Sequence, residues 1–220
     1  MSVQTQAAGK KLLKGAAPFI SKALTYSFQT IIDVGAGAGI CSSELAKAGK
    51  TVVSYDLRPN EERDKLAKQF GFKSVSGDIT DDLLQPDSFD AAWCNQVLEH
   101  VRDYGSFLDS ISRVVKPNGY LFITVPAHND SVVPGHTNMG WNVGMLMYNV
   151  AHAGFRTLAA KIEVNNVLLV ADKLPGVDKD RGHSKWLKYY PQQLRPSAEN
   201  GFWKGSIKKI DWDRKGQLEY

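Results

Sequence analysis

The run Thr30-Ile-Ile-Asp-Val-Gly-Ala-Gly-Ala-Gly39 constrains the chain more than any other stretch. A short apolar segment stopped by glycines at 35, 37 and 39 reads as a buried strand that turns sharply into a helix, because only glycine combines freedom of φ with close approach of a ligand to bare backbone. The spacing is GxGxG, and Ile40 stands where a GxGxxG dinucleotide fingerprint carries its last glycine. Taken alone, the loop predicts a ligand-binding turn that several nucleotide folds share. A merely tight strand-to-helix connection satisfies the same residues.

The flanking sequence alternates strand and helix. Lys10 to Leu24 has apolar positions at helical spacing, interrupted by Pro18. Ile40 to Ala48 reads as a helix ended by Gly49, Thr51 to Asp56 as a strand, and Asn60 as the cap of a helix that carries Leu66 and Phe70 and closes at Gly71. Strands are predicted at Phe72 to Val75, Phe89 to Cys94 and, after a turn at Pro117-Asn118-Gly119, Tyr120 to Val125. Tyr104, Phe107, Leu108, Ile111 and Val115 mark one helix, and Val143, Leu146, Met147, Val150 and Ala151 another. Phe155 to Val164 and Val167 to Ala171 form a hairpin turning at Asn165-Asn166. The pattern predicts an α/β, doubly wound, mostly parallel sheet that ends antiparallel, with its ligand site at the carboxyl ends of the strands. It divides the chain into a leading helix (1–29), a ligand-binding domain (30–173) and an extension (174–220).

A hydrophobic content of 43% over 220 residues suffices for one core. The N-terminus has no basic head followed by an apolar run, and no segment approaches a membrane span, so a cytoplasmic location without a membrane partner is expected. Cys41 and Cys94 are isolated thiols without metal-site spacing, and no metal is expected. The charge is uneven: residues 1–173 carry 17 Lys or Arg against 17 Asp or Glu, and residues 174–220 carry 10 against 6. That extension interleaves Trp186, Tyr189, Tyr190, Trp203 and Trp212 with Lys185, Lys188, Arg195, Lys204, Lys208 and Lys209. Such a tail either binds phosphates and stacks bases or, the favoured reading, packs its rings on the domain and turns its lysines to water.

Asp56 ends the second strand 21 positions after Gly35, where a carboxylate can accept from both ribose hydroxyls of an adenosine. Gly77-Asp78-Ile79 sets another carboxylate, with an apolar neighbour, where an adenine amino group would lie. With Phe89-Asp-Ala-Ala-Trp-Cys-Asn-Gln-Val-Leu-Glu-His-Val101 and Val115-Lys-Pro-Asn-Gly-Tyr-Leu-Phe-Ile-Thr-Val-Pro126, in that order and spacing, the chain resembles the class I S-adenosylmethionine-dependent methyltransferases, in particular those acting on small molecules, quinones and bacterial glycans. The resemblance runs from about Ile31 to Pro126, and more loosely to Ala171. It implies a Rossmann-like, seven-stranded sheet with an antiparallel final strand and S-adenosylmethionine as cofactor. Residue by residue, it gives Gly35, Ala36, Gly37 and Gly39 to the cofactor loop, Asp56 and Leu57 to the ribose, Asp78 and Ile79 to the adenine, and Asn95 and Gln96 to the methionine part and its methyl group.

On the acceptor side stand three histidines. His136, in the long loop after the fifth strand, is the first candidate base; His100, in Leu98-Glu99-His100-Val101, and His128 follow. Each also suits a purely loop-stabilising role. Glu99 reads as a structural carboxylate at a helix start, and Trp141 as a pocket wall. The implied activity is methyl transfer to an oxygen or nitrogen of a small molecule, sugar or glycan. A nucleic-acid methyltransferase using the tail is a second reading, although Cys94-Asn95-Gln96-Val97 lacks the Pro-Pro-aromatic sequence of amino-methylating DNA enzymes. A non-catalytic S-adenosylmethionine-binding partner protein is a third.

Overall fold

A computed structural model describes residues 16–128, 133–176, 189–194, 207–213 and 215–219. Residues 16–23 are helical (α1), and Pro18 falls in that stretch; the expected start of the helix near Lys10 lies outside the described residues. There follow β1 (Thr30–Val34), α2 (Ile40–Lys47), β2 (Thr51–Asp56), α3 (Glu61–Phe70), β3 (Lys73–Ser76), β4 (Phe89–Asn95), α4 (Tyr104–Val114), β5 (Val115–Pro126), α5 (Val143–His152), β6 (Phe155–Glu163) and β7 (Asn166–Lys173). Two short strands, β8 (Lys209–Ile210) and β9 (Leu218–Glu219), complete one sheet of order β3-β2-β1-β4-β5-β7-β6-β8-β9.

The sheet is parallel from β3 through β5 and turns antiparallel at β7. It has nine strands among the described residues, not seven, because the C-terminal extension adds β8 along β6 and then β9. A two-residue strand carries almost no periodicity, so nothing in the extension's sequence marks it.

Side-chain alternation builds a core on each face. Ile32, Val34, Ala92, Cys94, Leu121, Ile123 and Val125 point to the face covered by α4 and α5, where Phe107, Leu108, Ile111, Leu146, Met147 and Val150 are buried. Ile31, Ala91, Trp93 and Phe122 point the other way, to Phe19 and Ile20 of α1, Cys41 and Leu45 of α2, and Leu66 and Ala67 of α3. Trp93 is fully buried, 4.9 Å from Phe19 and 6.4 Å from Phe122 between ring centroids. Each large apolar side chain so removed from water contributes roughly 1.5–3 kcal/mol.

The extension joins these cores. Tyr190, Leu194, Ile207 and Ile210 are buried in the first, and Trp212 in the second, stacked on Phe19 at 5.9 Å and flanked by Lys161 at 4.7 Å from its ring. Tyr189, Tyr190 and Trp212 are thus buried against the domain, out of reach of a base. Trp186, Trp203, Lys185, Lys188, Arg195 and Lys204 lie outside the described residues. No described helix is long and apolar enough to cross a membrane.

Two turns differ from the sequence reading. Pro117-Asn118-Gly119 lies within β5, where Asn118 takes φ 65° and the pairing with β4 shifts register between Phe89 and Ala91. A bulge and a turn draw on the same residues, and the chain uses the bulge because strand pairing continues on both sides. The hairpin turns on Val164-Asn165, both at positive φ, one position earlier than expected. A β-branched residue is unfavourable there, but the position is outermost, with Val164 87% exposed, and pairing of Val167 into the core fixes the register.

Candidate functional site

Strand order reverses between β1 and β4, so the loops leaving their carboxyl ends part and leave backbone accessible. Gly35, Gly37 and Gly39 leave β1 with φ 73°, 53° and 77°. Gly35 also has no room for a side chain: an added Cβ would lie 2.3 Å from Val97 Cγ2. At Gly37 an added Cβ meets nothing within 4 Å, which makes this the open part of the turn. The N–H groups of Gly35 and Ala36 donate to Tyr55 O at 2.8 and 3.2 Å, closing the loop against β2.

The acid at the end of β2 is wired into the same loop. Asp56 Oδ2 accepts from Gly37 N at 2.8 Å, and Oδ1 accepts from Arg58 N at 3.0 Å. Each oxygen keeps a lone pair, so the carboxylate is oriented without being exhausted. Leu57 beside it is 62% exposed, an apolar side chain held open next to the site. Past β3, Asp78 Oδ1 accepts from the amide and hydroxyl of Thr80, capping a single turn that buries Ile79. Oδ2 of Asp78 has no hydrogen bond among the described residues.

Arg63 organises this region and escaped the sequence reading. It is fully buried on α3, whose start is fixed by Asn60 Oδ1 accepting from Glu62 N and Arg63 N. Its guanidinium donates to Gly37 O, Arg58 O and Val75 O and to the hydroxyls of Ser74 and Ser76, at 2.9 to 3.3 Å. One side chain thus ties the glycine loop to the loop after β2 and to β3. Its signal was present: Arg63 lies three and four residues before buried Leu66 and Ala67, which puts a cation on an apolar helical stripe.

Asp33, just before the glycines, is 2% exposed and accepts from Ser42 Oγ at 2.5 Å. Burial pushes its carboxyl up to about 6, with Asp56 adding to the rise and the Ser42 bond and Arg63 opposing it. The folded protein therefore holds a proton that the unfolded chain has already released. Stability contributed by this group is present at low pH and is lost as pH rises from the ordinary carboxylate range to about 6, by up to about 3 kcal/mol. Asp33→Asn keeps an acceptor for Ser42 and should remove that loss. Urea midpoints at pH 4 and 7 check this, and equal pH dependence in both proteins would refute it.

At the end of β4, Asn95 Oδ1 accepts from Thr124 Oγ1 at 2.8 Å, and Gln96 Nε2 donates to the same hydroxyl at 3.0 Å. Gln96 sits at φ 58°, a costly conformation for a non-glycine residue. Thr124, buried on β5, thus fixes the two side chains expected at the methyl-bearing end, a role the sequence reading did not give it.

The acceptor-side residues divide. Glu99 and His100 lie on a single 3₁₀ turn, Leu98–His100, not at the start of a helix, so helix-end stabilisation does not account for Glu99. Glu99 is 1% exposed, its Oε2 has no hydrogen-bond partner, and burial raises its pKa while His100 opposes the rise. His100 Nδ1 lies 2.9 Å from Gly135 O, and its ring meets that of His136 edge-on at 4.8 Å between centroids. Burial first, and then His100, lower the pKa of His136. His128 is exposed at the other root of the loop, its amide donating to Trp141 O at 2.7 Å. Trp141 is 3% exposed and packs edge-on against Tyr104 within the core.

Residues 32–123 match the family described as methyltransferase domain. Over 113 residues the chain is 38% identical to the ubiquinone biosynthesis O-methyltransferase of Xylella fastidiosa strain M23, a match covering 48% of this chain and 45% of that protein. The chain spans less than half the length of the curated relatives it matches. Among solved structures, it is similar to the 1,6-didemethyltoxoflavin-N1-methyltransferase of Burkholderia thailandensis, bound to 1,6-didemethyltoxoflavin and S-adenosylhomocysteine, with a TM-score of 0.65 and 20% identity over 74% of this chain and 78% of that one. It is also similar to the [4+2]-cyclase SpnF, with a TM-score of 0.64 and 16% identity over 78% and 82% of the two chains. Identities this low speak to the fold alone.

Proposed function

We propose that this chain, whose residues 32–123 match the methyltransferase domain family, is a class I S-adenosylmethionine-dependent methyltransferase that transfers a methyl group from S-adenosylmethionine to an oxygen or nitrogen of a small molecule. The observation that carries this reading is the coupling of Asp56 to the glycine loop: a carboxylate held by Gly37 N–H and Arg58 N–H, beside a turn left open at Gly37.

In this reading Asp56 takes the ribose hydroxyls, Leu57 and Ile79 flank the adenine, Asp78 accepts from its amino group, and the backbone of Gly35, Ala36, Gly37 and Gly39 lies along the donor. Asn95 and Gln96, locked through Thr124, border the methionine part. The donor supplies a sulfonium, a strong electrophile, so the protein's main tasks are to hold the acceptor in line and exclude water. His100 and His136, with His128 on the same loop, orient the acceptor and receive its proton. The lowered pKa of His136 leaves it neutral, with a lone pair free, near pH 7.

The curated relatives, named for O-methylation in ubiquinone biosynthesis, favour an oxygen acceptor. The free, buried thiols Cys41 and Cys94 are in keeping with a cytoplasmic site of action. Calorimetry with S-adenosylmethionine and S-adenosylhomocysteine, followed by transfer of labelled methyl to a panel of hydroxylated and amino-bearing aromatics and sugars, tests the proposal. Saturable binding and label in the hydroxyl-bearing compounds are expected; no binding of either nucleoside sinks it.

A further inference from the structure

Glu99, His100 and His136 offer one ligand atom each within 4.8 Å of one another. Three features mark this cluster as built. Glu99 carries a buried carboxylate oxygen with no partner, which costs stability unless a positive charge offsets it. His100 has Nδ1 engaged by Gly135 O, which leaves Nε2, 4.0 Å from Glu99 Oε1, to face the cluster; a backbone carbonyl holding the far nitrogen is how proteins orient histidine ligands. The loop bearing His136 is clamped to the turn bearing the other two: Thr137 N and Asn138 N donate to Glu99 O at 2.7 and 3.1 Å, and Asn138 Nδ2 donates to Val101 O at 2.8 Å.

We propose that Glu99, His100 and His136 form a binding site for a divalent transition cation of the manganese-to-zinc series at the acceptor side of the site. Two imidazoles and one carboxylate suit such ions better than magnesium or calcium, which favour all-oxygen sets. Ligand bonds of about 2.0–2.2 Å bring neighbouring donor atoms to roughly 3–3.5 Å apart. Closing from the present separation requires small movements of the exposed His100 ring and the half-buried His136 ring. Three protein ligands leave coordination positions open. With the cation bound, the histidine nitrogens that ligate it no longer take the proton themselves: an acceptor hydroxyl bound there loses its proton to water while the O–H electron pair stays on oxygen, so the same three side chains would ready an oxygen nucleophile through the cation. That last role, unlike the cation site itself, rests on the methyltransferase reading above.

The test uses the full chain without a histidine tag, stripped with chelator and titrated with Co²⁺ alone. One-to-one binding with visible ligand-field absorption is expected, weakened at least about tenfold by His136→Gln and by Glu99→Gln. His136→Gln lies on a half-buried loop and leaves the core intact, so it stands as the decisive variant even if Glu99→Gln folds poorly. Absence of cobalt binding, or binding unchanged in His136→Gln, overturns the site. Calorimetry with S-adenosylmethionine on the same sample separates the two ideas: cobalt binding without donor binding upholds the site and refutes the methyltransferase reading, and the reverse does the opposite.

Discussion

Asp56→Ala is expected to bind S-adenosylmethionine about 10²- to 10⁴-fold more weakly than the native chain. A hydrogen bond to a charged group contributes about 1.5–3 kcal/mol, the carboxylate is placed to accept two from a ribose, and each 1.4 kcal/mol is a factor of ten. The substitution also takes the acceptor from Gly37 N and Arg58 N, so the loop loses the contact that aims it. Asp56→Asn, which keeps the shape and loses the charge, should fall between. Calorimetric affinities of the three proteins decide it. An Asp56→Ala affinity within threefold of the native value would mean that the donor's ribose lies elsewhere.

Arg63→Ala should destabilise the fold by about 3–5 kcal/mol, because hydrogen bonds to a charged group contribute about 1.5–3 kcal/mol each and a void is left, a loss offset in part by no longer burying the charge. Three carbonyls and two hydroxyls lose a donor at once, and the arginine stem leaves a void beside Phe72 and Gly39, whose absent Cβ would sit 3.0 Å from Arg63 Cγ. Arg63→Met fills most of that void without restoring the bonds, so it should recover only part of the loss. Urea midpoints at constant slope measure both. A change below about 1 kcal/mol in Arg63→Ala would show that water satisfies these groups and that the network is incidental. Because Arg63 also donates to Gly37 O, donor affinity should fall together with stability.

The alternation of strands and helices was legible because each element declares itself within a few residues. Asn60 and Gly71 bracket α3 as their side-chain chemistry and backbone freedom dictate. The two local misreadings, Pro117-Asn118-Gly119 and the hairpin turn, occur where the same residues serve two conformations and a distant strand chooses between them. The environment of Glu99 was hidden for a related reason. Its surroundings come from the loop after β5, and no neighbour in sequence announces that a carboxylate there will be buried without a hydrogen-bond partner.

The glycine loop and Asp56 are properties of the sequence itself: a turn that needs φ > 0 must be written in the residues that make it, and a parallel crossover sets how far along the chain the next strand ends. Which polar groups meet is a property of the tertiary structure. Arg63 finds acceptors on three separate segments, Thr124 locks Asn95 and Gln96 from the neighbouring strand, and His100 meets Gly135 from 35 residues away. Backbone preference acts between neighbours and can be read one residue at a time. Satisfaction of a buried charge depends on which distant segments the sheet order brings side by side, and that is decided only when the chain has folded.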